Sequence, residues 1–343
     1  MNRYLSVIAY LFLSLAIVAA VKADLLDLYL QLVIMYIGIN IILCSSLNLI
    51  NGYMGEFSCG HAGFMAVGAY VSSILNVWLF TNDPTFGAMI FSPTASIFLF
   101  PITLIIGGIA AALVGLFVAV PSFRTRGDYL AIITLAVNYI IKSAVENMQI
   151  IGGARGFMGM KKVVNGMEEI INIPWVMIWT LIFTALCVWM LYRFVNSTYG
   201  KGIMAIRDDE IAAEIMSVNT QRMKLTAFML SSGLAGVAGG LFAHILGYIN
   251  PGSFTIMKST EVMVMVYLGG MGSLTGSVLS AVSFTILMEL LRPLQVWKWV
   301  LIPLVLIILM MFRPEGIMGH RELTDIFPKL RRFFPKKSDL IRP

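Results

Sequence analysis

Residues 28–50 and 95–120 contain no Asp, Glu, Lys or Arg, and comparable stretches recur along the chain. A helix needs about 20 apolar residues to cross the hydrocarbon core of a bilayer. A strand of a membrane barrel would instead alternate apolar and polar residues, and these runs do not. Ten of them read as spans, at about 5–21, 28–50, 62–80, 95–120, 128–150, 174–195, 225–249, 258–270, 274–291 and 297–312. The eighth covers 13 residues, so it reads either as a short span or as half of one helix broken at "GGMGSLTG" (Gly269–Gly276). Composition excludes the soluble alternative. The chain is 59% hydrophobic and 12% charged, where soluble domains average about 45–50% and about 25%. The fold class expected is all-α, a polytopic transmembrane helical bundle of about 8–10 spans.

The first run, with its basic start and small-residue exit, has the make-up of a signal peptide. Its length and the lack of a soluble domain after it favour a retained helix. Lys and Arg near span ends set orientation. The tail 313–343 holds Arg313, Arg321, Lys329, Arg331, Arg332, Lys336, Lys337 and Arg342, and the loop at about 196–224 holds Lys201, Arg207 and Arg222. Both are expected on the cytoplasmic side, and with ten spans the N-terminus falls there too. The loop 152–173 then lies outside despite Arg155, Lys161 and Lys162, which strains the rule. The formal charge of +6 sits mainly in the tail. That makes anionic lipid, not nucleic acid, the expected partner of "FPKLRRFFPKK". Cys44, Cys59 and Cys187 lie in or beside apolar segments with no CxxC spacing, arguing against a disulfide scaffold or a zinc site. His61, His244 and His320 are far apart in sequence, so no metal site is expected.

One segment between apolar runs is densely charged, "GKGIMAIRDDEIAAEIMSVN" (Gly200–Asn219). Asp208, Asp209 and Glu210 stand where a helix N-terminus favours negative charge. Ile211, Ile215 and Val218 follow at i, i+4 and i+7, with Ala212 and Met216 beside them, as on a short amphipathic helix. Such a helix either lies on lipid headgroups or docks its apolar face into a groove on another protein.

Two further patterns bear on passage through the membrane. "NGYMGEFSCGHAGFMAVGAY" (Asn51–Tyr70) crowds Gly52, Gly55, Gly60, Gly63 and Gly68 around Glu56, Ser58 and His61. It reads either as a hairpin between spans or as a broken helix lining a pathway. "GGMGSLTG" partly echoes it. The run 128–150 carries Asn138, Lys142, Glu146 and Gln149 on one helical face, with Asp128 of "RGD" placed to cap its start. Ionisable residues within a span usually face the bundle interior and mark a route; the alternative is a Lys142–Glu146 pair that merely satisfies itself.

Residues 200–243 resemble the cytoplasmic loop and following helix of ABC-importer permeases, specifically the M-type subunit of the branched-chain amino acid permease family. "LNLINGYMGEFSCGHAGFMAVGAY" (47–70), "RGDYLAIITLAVNYIIK" (126–142), "VYLGGMGSLTGSVLSA" (266–281) and "RPEGIMG" (313–319) resemble the same family in the same order. The resemblance implies an ABC-importer permease fold, with a transmembrane domain at 1–312 and a basic tail at 313–343. It implies a coupling helix in 200–219, docked on a separate ATPase through Arg207, Asp208, Asp209, Glu210, Ala212, Ala213 and Ser217. The general importer motif has Glu-Ala-Ala followed by Gly. Here the acid, Glu210, falls one place early, Ser217 stands where Gly is usual, and Tyr139 replaces an acid common in relatives.

The resemblance also implies the partners: a second permease, two ATPase subunits and an extracytoplasmic substrate-binding protein, all at the cell (inner) membrane. No cofactor is expected on this chain, which has no G-x-x-x-x-G-K-[ST], so ATP would be bound by the partners. The expected pathway residues are Gly55, Ser58, Gly60, His61, Asn138, Lys142 and Glu146. Two transport rivals stay open: an ion-coupled secondary amino acid transporter, and an ABC permease for urea or short amides. An intramembrane enzyme built on Glu56 and His61 lacks a second His or a nucleophile nearby.

Overall fold

The structure is a computed structural model that describes residues 14, 16–23, 26–82, 87–123, 129–170, 173–297, 300, 304, 307, 311–312 and 316–319. Most of the expected first and last spans, the cap at Asp128, His320 and nearly all of the tail lie outside them. Among the described residues, six helices are long and apolar enough to cross a membrane. They are α1 (Leu28–Asn48, continued by a π-helical turn Leu49–Met54), α2 (His61–Phe80), α3 (Pro93–Ser122), α4 (Tyr129–Asn147), α6 (Trp175–Val195) and α9 (Thr220–Leu246). Between α4 and α6 lies the short helix α5 (Met160–Ile170); between α6 and α9 lie α7 (Thr198–Asp208) and α8 (Glu210–Ile215). The chain then forms two shorter helices, α10 (Ile256–Gly269) and α11 (Leu274–Leu290).

The expected break at Gly269–Gly276 is therefore a turn between two packed helices, not an interruption of one. Loop 152–173 holds a helix that the span count missed. In α5, Met160, Val163 and Met167 are buried while Lys161, Lys162, Glu168 and Glu169 face out. Beside it a two-residue strand, β1 (Phe157–Met158), pairs antiparallel with β2 (Tyr248–Ile249), tying the end of α9 to this loop.

Burial ranks the helices. α9 is central, 72% of its apolar window buried, whereas α4 is peripheral at 22%. Water does not drive helices together inside lipid, so close backbone approach must do it. α2, α3 and α9 meet through small residues. A side chain at Gly236 would overlap Ala111 of α3, and one at Gly239 would overlap the Met65 carbonyl of α2. Polar groups face inward, and several of them pair. Asn76 donates to Thr103 Oγ1 at 2.7 Å and bonds His244 Nε2 at 3.0 Å. Outward faces are apolar, with Phe98, Phe117, Ile132, Ile140 and Trp189 all exposed. This apolar-outside, polar-inside arrangement suits lipid, not water.

Candidate functional site

The first half of the site is the end of α1. Its last turn widens to π-helical geometry, a form that gathers at functional positions, and stops at Gly55, whose φ of +76° favours glycine. Residues 55–60 run without regular structure before α2 starts at His61. His61 Nε2 lies 2.9 Å from Ser46 Oγ, and Ser46 precedes Met54 by eight residues, about 12 Å of helix. The chain thus doubles back along its own helix, and α2 begins inside the bundle rather than at its end.

Irregular backbone at that depth survives only where protein covers it, and here it is held from several sides. Cys59 N donates to Thr134 Oγ1 of α4 at 3.1 Å, and Ala62 N donates to Ser259 Oγ of α10 at 3.0 Å. Ser58 N donates to Asn51 Oδ1 at 3.2 Å, and Ser231 Oγ of α9 donates to the Ser46 carbonyl at 2.5 Å. Four polar atoms around the break are buried without a partner among the described residues: Asn51 Nδ2, Ser58 Oγ, His61 Nδ1 and Asn138 Oδ1.

The echo of this motif packs against it. Asn48 Nδ2 donates to the Ser273 carbonyl at 2.9 Å and to Ser277 Oγ at 2.7 Å, while its Oδ1 accepts from Gly272 N at 3.0 Å. The α10–α11 turn is thereby fastened to the lower part of α1. Ile317 N and Met318 N, from "RPEGIMG", donate to the Leu268 and Gly269 carbonyls at 2.9 and 3.1 Å.

The second half is the charged segment, which is two helices and not one. Asp209 is extended (φ −160°, ψ 110°) and separates α7 from α8. Its Oδ1 accepts from Ile211 N and Ala212 N at 3.0 Å each, so it is the N-cap of α8, within the acidic run expected at a helix start. The other end closes as a Schellman motif: Ser217 N donates to the Glu214 carbonyl at 2.9 Å and Val218 N to the Ala213 carbonyl at 3.0 Å. Ser217 is left-handed, with φ +61°, so it does the work of the glycine it replaces. Glu214 also accepts from Thr220 Oγ1 at 3.0 Å, fixing α8 to the start of α9. Ala213 points inward, whereas Ile211, Ile215 and Met216 are 72%, 78% and 78% exposed. This six-residue helix is capped at both ends and presents its apolar side chains outward.

Charge joins the halves. Lys224 of α9 is buried, and its Nζ lies 2.8 Å from Glu56 Oε1 and 2.9 Å from Glu210 Oε1. Its ammonium also sits 5.8 Å from the centroid of the Phe123 ring. Arg207 donates from Nη1 to the Gly52 carbonyl at 3.3 Å, and from Nε and Nη2 to Asp208 Oδ1 at 3.1 and 2.9 Å. Its stem crosses Gly55, where a Cβ would come within 2.6 Å of Arg207 Cγ. A cavity of about 380 Å³ lies between the halves, lined by Asn51, Gly52, Gly55, Arg207, Asp208 and Met271.

The structure brings Arg207 and Asp208 beside Gly55, ties Glu210 to Glu56 through Lys224, and places Ser58, Gly60, His61 and Asn138 deeper in the bundle. The polar stripe divides. Asn138 is buried over Gly63. Lys142 and Glu146 pair with each other at 3.4 Å near the end of α4, partly exposed. Gln149 is off the stripe, because α4 stops at Asn147 and Gln149 opens a 3-10 turn. Lys224 was missed as a site residue. Its signal was a cation at the threshold of an apolar run, two residues after Arg222.

Comparison with known proteins places this geometry. The family described as branched-chain amino acid transport system / permease component matches residues 29–311. The chain is similar to the high-affinity branched-chain amino acid transport system permease protein LivM of Escherichia coli strain K12, 30% identical over 304 residues, covering 82% of this chain and 68% of that protein. It is also similar to a probable LivM of Methanocaldococcus jannaschii, 23% identical over 337 residues, 88% of this chain and 96% of that one. The permease protein LivH of the same E. coli strain is 28% identical over 153 residues, 43% of this chain and 48% of its own length. No solved structure matches.

Proposed function

The chain belongs to the branched-chain amino acid transport permease family, and on that premise we propose that it forms half of the membrane pathway of an ATP-driven importer of branched-chain amino acids. It works with a second permease subunit, two ATPase subunits and an extracytoplasmic binding protein. ATP is bound by the ATPase subunits, and this chain performs no bond chemistry. The loop 196–224 and both termini lie in the cytoplasm.

One observation carries this reading. α8 is capped at both ends, tied by its first residue to the broken helix, and exposes Ile211, Ile215 and Met216 on a segment too short to span. An apolar helical face on a charged loop is what an amphipathic helix offers a groove on a partner. The unpartnered Asn51, Ser58, His61 and Asn138 atoms support a route for a polar, zwitterionic solute beside the start of α2. There Gly55, Ser58, Gly60, His61 and Asn138 act as pathway residues. Lys142 and Glu146 belong to its outer end.

The test is association. With the chain tagged at its native locus and the complex extracted gently, wild type is expected to bring down an ATPase. Ile211→Glu with Ile215→Glu is expected to lose it while the chain stays folded, because both side chains are exposed. An ATPase retained in full by that variant would overturn the docking role of α8.

A further inference from the structure

We propose that Lys224 is the latch that makes the broken helix follow the docked loop: a positioning residue that carries motion of α8 to the 52–56 segment. This deepens the importer reading and rests on it.

The geometry separates the latch from ordinary packing. Glu210 is the first residue of α8, so its carboxylate moves with that helix. Glu56 is the second residue after the π-helical turn, so its carboxylate moves with the break. These two acids come from segments more than 150 residues apart, and one ammonium lies within 2.9 Å of both. Lys224 itself is anchored in α9, the most buried helix, with its side chain 9% exposed and next to Phe123.

Elsewhere the loop meets the break through α7, which packs against the π-helical turn and whose Arg207 donates to the Gly52 carbonyl and crosses Gly55. No large apolar surface of α8 faces the break, since Ile211, Ile215 and Met216 point away from it. The direct tie between α8 itself and the break is therefore the Lys224 bridge. Like charges repel at short range, an effect that solvent damps here in part, because Glu56 and Glu210 are 24% and 49% exposed. Removing the ammonium would leave Glu56 and Glu210 facing each other without a counter-ion, so the loop would part from the break instead of loosening neutrally. An apolar side chain at 224 should thus uncouple, and Arg, which keeps the charge, should couple.

The experiment uses the complete complex in proteoliposomes and reads solute moved per ATP hydrolysed. Lys224→Met is expected to retain ATP hydrolysis and lower that ratio at least ten-fold, Lys224→Arg to restore it to within two-fold of wild type, and Glu56→Gln to lower it several-fold. A residue needed only for folding would reduce the amount of complex and both rates together, leaving the ratio unchanged. An unchanged ratio in Lys224→Met overturns the latch. If Lys224→Met does not assemble, Glu56→Gln decides: it removes one arm at a partly exposed position, and an unchanged ratio there overturns the latch as well. A wild-type complex with no ATP hydrolysis overturns the importer reading instead, and the latch falls with it.

Discussion

Ser217 shows how one backbone angle can matter more than side-chain chemistry. A non-glycine residue held left-handed costs about 1 kcal/mol or more, and here the Schellman bonds that close α8 require it. Ser217→Gly should raise the stability of the complex by about 0.5–1 kcal/mol, offset in part by the freer unfolded chain. Ser217→Val should lower it by more, because a β-branched residue fits that angle poorly. Thermal melting of the purified complex distinguishes the two, and a Val variant as stable as wild type would refute the assignment. At this scale the sequence was partly legible. An acidic helix start at 208–210 follows from residue type and place, but which of the three acids caps it does not. The partners of Lys224 do not, because Glu56 is 168 residues away and no local pattern connects them.

At the scale of elements, the joint between α1 and the α10–α11 turn runs through one side chain. Asn48 supplies both donors and the acceptor that fasten it. Asn48→Ala strands Gly272 N–H in a partly buried place, at about 1–3 kcal/mol for the unpaired group. Asn40 also bonds across to α11, donating to Thr285 Oγ1 at 2.9 Å. Thr285 keeps its own bond to the Ala281 carbonyl, so Asn40→Ala should cost less. Comparing the melting of the two variants checks the ranking, and equal losses would contradict it.

The helices themselves were legible because period and length suffice for an apolar run: 62–80, 95–120 and 174–195 lie within one to two residues of α2, α3 and α6 at both ends. Three features were not. The split of the charged segment at Asp209 depends on one extended residue. α5 was hidden in a loop whose cations were counted for orientation only. The doubling back of 55–60 depends on Thr134, Ser231 and Ser259 being present from other helices, which glycine content alone cannot announce.

At the scale of the whole molecule, the described residues divide into a tightly packed block and, beside it, a seam where the broken helix meets the charged loop. α2, α3 and α9 interlock through glycines and buried Asn–Thr–His contacts. Beside that block, α1's π-helical end and the 55–60 segment meet the end of α7 around a cavity, and Lys224 bridges Glu56 to Glu210 of α8. A pump component needs that division, because a packed core does not deform continuously and motion must be confined to a seam. The polar atoms left unpartnered near His61 lie at the inner end of this seam, and the exposed apolar face of α8 lies at its outer end.

The most direct test of the central claim is uptake. The chain is reconstituted in liposomes with the second permease, the ATPase subunits and the binding protein, and labelled leucine is followed with and without ATP on the ATPase side. The expected result is accumulation that requires both ATP and the binding protein, and that stops with Ile211→Glu plus Ile215→Glu. Accumulation by this chain alone under an ion gradient, indifferent to ATP, would contradict it.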